Sequence, residues 1–538
     1  MTYIRPLGGV LIAGLLAAGL AGCASDDETA ATASSAGPSY APATSIVRYK
    51  GTNEYSTAYG GERYPSLQHQ GFQQVEQQPL STFSVDVDTA AYSHIRRILK
   101  NRQMPPRDVV RIEEMVNYFD YDYPRPQDQD EPFAISTTVM PNPWNAETQL
   151  LHVGLQGYTV PRRQRPPVNL VFLIDVSGSM NGEDRLGLAK RSLKGLTKGL
   201  REDDRIAIVT FSSGSRTVLD PTSAKDKHRI EAAIDKLDAG GGTGGEKGLE
   251  HAYSVADHQF SSDAVNRVIL ISDGDFNVGA SDPVAMRKLI TKKRKSGVYL
   301  TVLTVGDGNV NDHIAQALAQ AGNGTAAHLD SLTEARKVLG DEVTANLIPI
   351  AEDVKVQIEF NPDIVGAYRL IGYETRALNR RDFRNDRVDA GDVGSGHSVT
   401  ALYEITLVPH LARARLGFRY QLASSDPDLK RAVEAQDEYA FVKLRYKAPG
   451  TRNSLQMGQP VSKFEEVELL EDAPDDVRFA VAVAAFGQIL RGEVDTREFN
   501  YDDVLDLAQS GRSSDPFGRR GEFLQLVRQA EGLSEGAW

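Results

Sequence analysis

Two aspartates and three hydroxyl side chains stand where apolar segments of this 538-residue chain end. Asp175 closes the apolar run VNLVFLID, and Ser177 and Ser179 follow it at alternate positions. Asp273 closes a second apolar run, RVILISD, and Thr243 is the one hydroxyl residue of the glycine-rich loop AGGGTGG. These side chains offer oxygen ligands only, which select hard cations, and so few carboxylates suit Mg²⁺ or Mn²⁺ better than Ca²⁺. The sequence therefore predicts a divalent-metal site if the fold brings the five residues together.

Repeated strand–helix units supply the elements that would bring them together. The segments VNLVFLID, RIAIVTF, RTVLD, RVILISD, VYLTVLTVG and AAHLD alternate with amphipathic helices between residues 168 and 346. Near-continuous Val, Ile and Leu runs are typical of strands in a sheet that is buried on both faces. We therefore predict a doubly wound, mostly parallel α/β sheet of Rossmann-like type, whose ligands bind beyond the carboxyl ends of the strands.

Segments with the alternation of β-strands flank this domain on both sides, at 133–160 and 350–450. The first strand and the last helix of a doubly wound domain place the chain's entry and exit at the same side, opposite the metal edge. We therefore predict that the two segments form one antiparallel β domain into which the α/β domain is inserted. Helical segments are predicted at 81–132 and at 465–535.

The N-terminus has the pattern of a secretion signal. Residues 1–22 carry Arg5 and then a stretch of roughly 14 apolar residues, which is short for a permanent membrane helix. The ending LAGC, with the sole cysteine Cys23, resembles a bacterial lipobox, which implies cleavage before Cys23 and lipidation of its thiol. The alternative is an uncleaved anchor. Residues 23–80 are polar and aperiodic, and we predict a disordered tether there.

Composition argues against several classes of function. The net charge of −13 opposes nucleic-acid binding, and the run Lys292–Lys295 is expected to complement a helix C-terminus. The serines of DVSGSM lack the Gly-x-Ser-x-Gly pattern of a hydrolase elbow. FSVDVDTA resembles a phosphatase motif only superficially, and its alternation predicts a half-exposed strand with Asp86 and Asp88 outward. We therefore expect no catalytic residue and no small-molecule substrate.

The five site residues, in this order and spacing, resemble the metal-ion-dependent adhesion site of von Willebrand factor type A domains, over 168–346. The resemblance implies that Ser177, Ser179 and Thr243 face the metal. It also implies that Asp175 and Asp273 hold the ion and its waters from the other side. One coordination position is left for an acidic side chain of a partner. The flanking segments FSVDVDTAAYSHIRRIL and RIEEMVNYFDYDYP, with the C-terminal region, resemble bacterial lipoproteins of the YfbK-like group.

These expectations combine into a membrane-tethered protein that binds an acidic partner through Mg²⁺ or Mn²⁺, for adhesion or recruitment. Its location would be the bacterial cell envelope, on the outer membrane if the source has two membranes. The alternative is a structural or assembly lipoprotein whose metal site only stabilises the fold, and a weaker alternative is a metal-dependent hydrolase.

Overall fold

The computed structural model describes residues 55–58, 61–68, 70–85, 88–127, 130–161, 163–242, 245–274, 283–341, 348–386, 388, 390–408 and 437–536. Its strands are β1 (Tyr55–Ala58), β2 (Glu62–Pro65), β3 (Gln73–Gln74), β4 (Leu80–Ser84), β5 (Phe133–Pro141), β6 (Gln149–Gly157), β7 (Val168–Asp175), β8 (Arg205–Phe211), β9 (Ser215–Ser223), β10 (Val265–Ser272), β11 (Val298–Val305), β12 (Ala326–Leu329), β13 (Pro349–Phe360), β14 (Val365–Ile371), β15 (Val393–Gly394), β16 (Ser398–Leu407), β17 (Glu438–Lys447) and β18 (Ser454–Ser462). Its α-helices are α1 (Ala90–Lys100), α2 (Ile112–Val116), α3 (Leu186–Gly199), α4 (Lys227–Asp235), α5 (Gly245–His258), α6 (Pro283–Arg294), α7 (Asp312–Ala321), α8 (Leu332–Arg336), α9 (Asp475–Arg491), α10 (Tyr501–Ser510) and α11 (Arg519–Ser534).

The central domain is the predicted α/β fold. Its strands lie in the order β12-β11-β10-β7-β8-β9, and all neighbours are parallel except β8 and β9. Every residue of β7 and of β10 is buried, because helices cover both faces of the sheet. The uninterrupted apolar runs of the sequence follow from this burial.

The flanking segments form one antiparallel β domain, as predicted, and its strands are arranged as a two-sheet sandwich. One sheet has the order β15-β13-β17-β18 with β4 also paired to β13, and the other has the order β3-β14-β16-β6-β5. Because β6 precedes the α/β domain and pairs with β16 beyond it, the α/β domain is an insertion in the sandwich. One apolar core, which includes Val153, Val356 and Tyr403, lies between the sheets.

A layer of helices covers the outer face of the second sheet. Helices α1, α2, α9, α10 and α11 share one apolar core that also contains Met140, Leu150 and Leu402. Helix α9 is buried along almost its whole length. Among the helices that the structure describes, none is both long and apolar enough to cross a membrane.

The prediction of a disordered tether is wrong for the end of its range. Strands β1 and β2 pair as a hairpin, and both Glu62 and Tyr64 are fully buried. Glu62 binds Arg97 at 2.8 Å and accepts a hydrogen bond from the Tyr64 hydroxyl at 2.6 Å. An ion pair and one aromatic ring thus fix a segment that lacks apolar periodicity. Residues 1–54, with the signal peptide and Cys23, lie outside the described residues.

Candidate metal centre

Parallel pairing of β7 with β10 brings the two predicted aspartates to one edge of the sheet. Ile174 lies opposite Ile271 in this register, so Asp175 and Asp273 both follow at the carboxyl ends of neighbouring strands. Both carboxylates are buried, with relative exposures of 0% and 2%. The Ser272 hydroxyl donates to Asp175 Oδ2 at 3.0 Å and thereby joins the two strand ends.

The loop after β7 turns its serines back toward Asp175. The backbone N–H of Ser177 donates to Asp175 Oδ1 at 2.8 Å, and the hydroxyls of Ser177 and Ser179 are 3.0 Å apart. Arg185 donates to the Ser179 carbonyl at 2.6 Å and to the Asp307 carbonyl at 3.0 Å. The serine loop is therefore held both by the strand that precedes it and by the side chain of Arg185, which lies directly before helix α3.

The glycine-rich loop lies directly against the serine loop. Gly178 N–H donates to the Gly241 carbonyl at 3.0 Å, and Gly240 N–H donates to the Val176 carbonyl at 2.7 Å. Thr243, the fifth predicted ligand, lies outside the described residues. The structure thus brings four of the five predicted residues together. Gly240 and Gly241, which belong to the same loop as Thr243, lie beside them.

The electrostatics of the site fit a cation. Burial raises the pKa of Asp175, hydrogen bonds from Ser177 and Ser272 lower it, and the negative charge of Asp273 raises it further. A bound cation would offset both the burial cost and the mutual repulsion of the carboxylates. Among the described residues no group of three or more His, Cys, Asp and Glu side chains could hold a metal ion. A cation here would therefore need the hydroxyl oxygens as well as the carboxylates, and the oxygen-only donor set suits Mg²⁺ or Mn²⁺.

Three residues that position the site were not predicted from the sequence. Ser272 binds Asp175 and Arg185 binds the serine loop, as described above. Gly274 has a φ of +89°, and a Cβ there would lie 2.8 Å from the Val310 Cα. Ser272 and Gly274 stand directly on either side of the predicted ligand Asp273, so the Ser-Asp-Gly sequence could have indicated their role. No local pattern marks Arg185, because the carbonyl groups that it binds belong to two separate loops.

Comparison with known proteins agrees with this geometry. Residues 169–341 match the von Willebrand factor type A domain, residues 58–152 match a model described as von Willebrand factor, and residues 345–533 match "Uncharacterized protein YfbK, C-terminal". The protein "Uncharacterized protein YfbK" of Escherichia coli (strain K12) is 41% identical over 485 residues, which cover 88% of this chain and 82% of that protein. The chain belongs to the YfbK family of von Willebrand factor type A domain proteins.

More distant similarities are confined to the fold or to one domain. Inter-alpha-trypsin inhibitor heavy chain H2 of Mus musculus is 30% identical over 148 residues, which cover 26% of this chain and 16% of that protein. The solved structure of von Willebrand factor type A from Catenulispora acidiphila has a TM-score of 0.42 and 16% identity, over 76% of this chain and 91% of that one. The 41% identity to the Escherichia coli protein confirms the family inferred from the sequence, and the match of residues 169–341 to the von Willebrand factor type A domain agrees with the observed fold class. This domain type indicates a protein interaction module.

Proposed function

We propose that this member of the YfbK family binds a protein partner through a divalent cation at the edge of its α/β sheet. The observation that carries the proposal is the convergence of Asp175, Asp273, Ser177 and Ser179 at that edge. Mg²⁺ or Mn²⁺ would supply a positive centre there that attracts a carboxylate. These residues would hold the ion, and a carboxylate of the partner would complete its coordination.

The residues of the chain prepare this site in advance. Asp175 is oriented by the Ser177 N–H and the Ser272 hydroxyl, so both of its oxygens have defined directions. The adjacent hydroxyls of Ser177 and Ser179 present two further oxygens from one loop. Preorganisation of this kind reduces the entropy that is lost when a partner binds.

We also propose that the protein is anchored in the bacterial cell envelope through a lipid on Cys23. The support is the sequence of residues 1–23, where the sole cysteine stands at the lipobox position. Two or three acyl chains would hold the protein stably, because a single chain gives only marginal membrane binding. Mass spectrometry of the mature N-terminus tests this: a diacylglyceryl Cys23 is expected, and an unmodified N-terminus elsewhere would exclude it.

The partner hypothesis is tested by crosslinking and pull-down from cells that express the full chain. Recovery of the partner should require Mg²⁺ and should be lost in EDTA and in the Ser177→Ala variant. Ser296→Ala is the matched control, because Ser296 is an exposed serine just before β11, at the opposite end of the same domain. Recovery that is unaffected by EDTA and by Ser177→Ala would contradict metal-dependent capture.

A second candidate is the assembly lipoprotein whose β domain binds the partner. Exposed apolar side chains favour it: Leu455 on β18 is 48% exposed, and Phe464 and Leu469 beyond that strand are 96% and 53% exposed. A pull-down that is insensitive to EDTA but lost in Phe464→Ser would support this candidate over the first.

A further inference from the structure

The 306–311 loop, which joins β11 to α7, is connected to the serine loop of the candidate metal centre. Arg185 donates to the Ser179 carbonyl at 2.6 Å and to the Asp307 carbonyl at 3.0 Å, so one side chain links the two loops. Gly306 has a φ of +75°, and a Cβ there would lie 2.6 Å from Arg185 Cγ. Glycine at this position therefore lets Arg185 reach both loops.

The same loop packs against the end of β10. Gly274 directly follows Asp273, and a Cβ on Gly274 would lie 2.8 Å from the Asn311 nitrogen. A shift of the 306–311 loop would therefore affect both sides of the candidate metal centre, the serine loop and the strand end that carries Asp273.

The β1–β2 hairpin, which precedes the α/β domain in the sequence, binds the backbone of this loop. The Arg63 N–H donates to the Val310 carbonyl at 3.0 Å. The Glu62 carboxylate accepts from the Gly308 N–H at 2.9 Å. Two neighbouring residues of β2 thus fix the 306–311 loop on the side away from Arg185.

Arg97 on α1 completes this arrangement. It pairs with the Asp307 carboxylate at 3.1 Å and with Glu62 at 2.8 Å. Glu62 is fully buried and Arg97 is 6% exposed. Burial raises the pKa of Glu62, but the hydrogen bond and the charge of Arg97 outweigh this effect and hold the pKa below its ordinary value. Glu62 is therefore a charged, buried acceptor that connects the hairpin, α1 and the 306–311 loop.

We propose that Glu62, Arg63 and Arg97 form a clamp that positions the serine loop for the metal through the 306–311 loop. The inference rests on the proposed function, because it concerns the affinity of that site for Mg²⁺. Release of the clamp would allow both loops more conformations, and metal binding would then have to order them at a cost in affinity.

Hydrogen exchange of the mature chain in EDTA tests the clamp without any metal. In Glu62→Gln an amide offers one acceptor oxygen where the carboxylate offers two, so either Gly308 or Arg97 loses that acceptor. The amides of 306–311 and of 176–181, in the serine loop, should exchange about 5-fold faster, as expected for the loss of one hydrogen bond.

The matched control is Glu404→Gln. Glu404 is also a buried glutamate, at 2% exposure, and it pairs with Arg369 at 2.6 Å, but it is on β16 in the sandwich. Its replacement should leave the exchange of both segments unchanged. Exchange that is unaffected in Glu62→Gln, or equally accelerated in both variants, would overturn the proposal.

Calorimetric titration with Mg²⁺ tests the effect on the metal site. Glu62→Gln should bind Mg²⁺ about 5-fold or more weakly than the wild type, and Glu404→Gln should bind it as tightly as the wild type. Equal affinity of Glu62→Gln and the wild type would contradict the clamp. Absence of Mg²⁺ binding in the wild type would instead refute the proposed function, and the exchange in EDTA would then decide the clamp by itself.

A double-mutant cycle with Arg185→Lys tests whether the contacts act in series. A lysine ammonium lacks the planar fork with which Arg185 binds two carbonyls, so Arg185→Lys should also weaken Mg²⁺ binding. Because both residues act through the 306–311 loop, the double variant Glu62→Gln/Arg185→Lys should bind Mg²⁺ no more weakly than Arg185→Lys alone. Losses of affinity that multiply in the double variant would show that the two residues act independently and would overturn the proposal.

Discussion

Replacement of Arg96 by methionine should strongly weaken the attachment of the α/β domain to its flanks. Arg96 is on α1 and is 1% exposed. Its guanidinium binds Asp330 at 2.5 Å and Glu334 at 2.7 Å, both in the α/β domain, and Glu522 on α11 at 3.0 Å. One side chain therefore joins three parts of the molecule.

The size of the effect follows from the burial of these carboxylates. Glu334 and Asp330 are 1% and 6% exposed, so Arg96→Met leaves buried negative charge without its main counterion. Loss of one partner of a buried ion pair costs about 3–5 kcal/mol. Because Lys337 lies 4.4 Å from the centre of the Tyr118 ring in the same cluster, some compensation is available, and we expect about 3 kcal/mol.

Urea denaturation followed by circular dichroism measures this loss in a double-mutant cycle of Arg96→Met and Glu334→Gln. The double variant should recover part of the stability, since Glu334→Gln removes one uncompensated charge. Arg497→Met is the control, because Arg497 pairs with Asp495 at the surface and its removal should leave the transition unchanged. An Arg96→Met variant as stable as the Arg497→Met variant would refute the reasoning.

Further predictions concern a buried acid, a close helix contact and the metal ligands. Burial, together with the charge of Glu374, raises the pKa of Glu113 to about 7. Glu113→Gln should therefore stabilise the protein by about 3 kcal/mol above pH 7. This gain should shrink as the pH falls and vanish below 4.5, where Glu113 is protonated in both the folded and the unfolded chain; denaturation at pH 5 and pH 8 measures the difference. Gly487→Leu should lower the free energy of unfolding by about 1–3 kcal/mol, because its Cβ would lie 2.9 Å from Ile112 Cγ1; a normal thermal melting curve would contradict this. Asp175→Asn should abolish Mg²⁺ binding in calorimetry while circular dichroism stays unchanged, whereas Thr243→Ala should only weaken binding, because water can partly replace a neutral ligand.

The position of the candidate metal centre could be predicted because it depends on short sequence patterns. Asp175 and Asp273 each end an apolar run that becomes a central buried strand, so strand order alone brings them together. The insertion of the α/β domain could also be predicted, since a doubly wound domain starts and ends at one side.

Features that depend on distant polar partners could not be predicted in this way. Asp88 was expected on the outer face of a strand, which is wrong: it is 1% exposed, accepts from the Ala326 N–H at 2.7 Å and pairs with Arg376. The sequence Val-Asp-Val-Asp at 85–88 has the same alternation of apolar and acidic residues whether the carboxylate of Asp88 is exposed or buried, so the pattern could not show its burial.

The insertion has a consequence for the order in which the protein can fold. Gln156 at the end of β6 donates to the Gly396 carbonyl, 240 residues further along the chain. At about 5–20 residues per second, a ribosome needs roughly 10–50 s to supply β16 after β6 has emerged. Through that interval the β5-β6 hairpin exposes an unpaired strand edge, which is a template for aggregation. The α/β domain can fold meanwhile from its own contiguous sequence, whereas the hairpin gains its partner strand only by slow, long-range closure. Premature termination after residue 346 should therefore yield an aggregating chain that nevertheless contains a folded α/β domain.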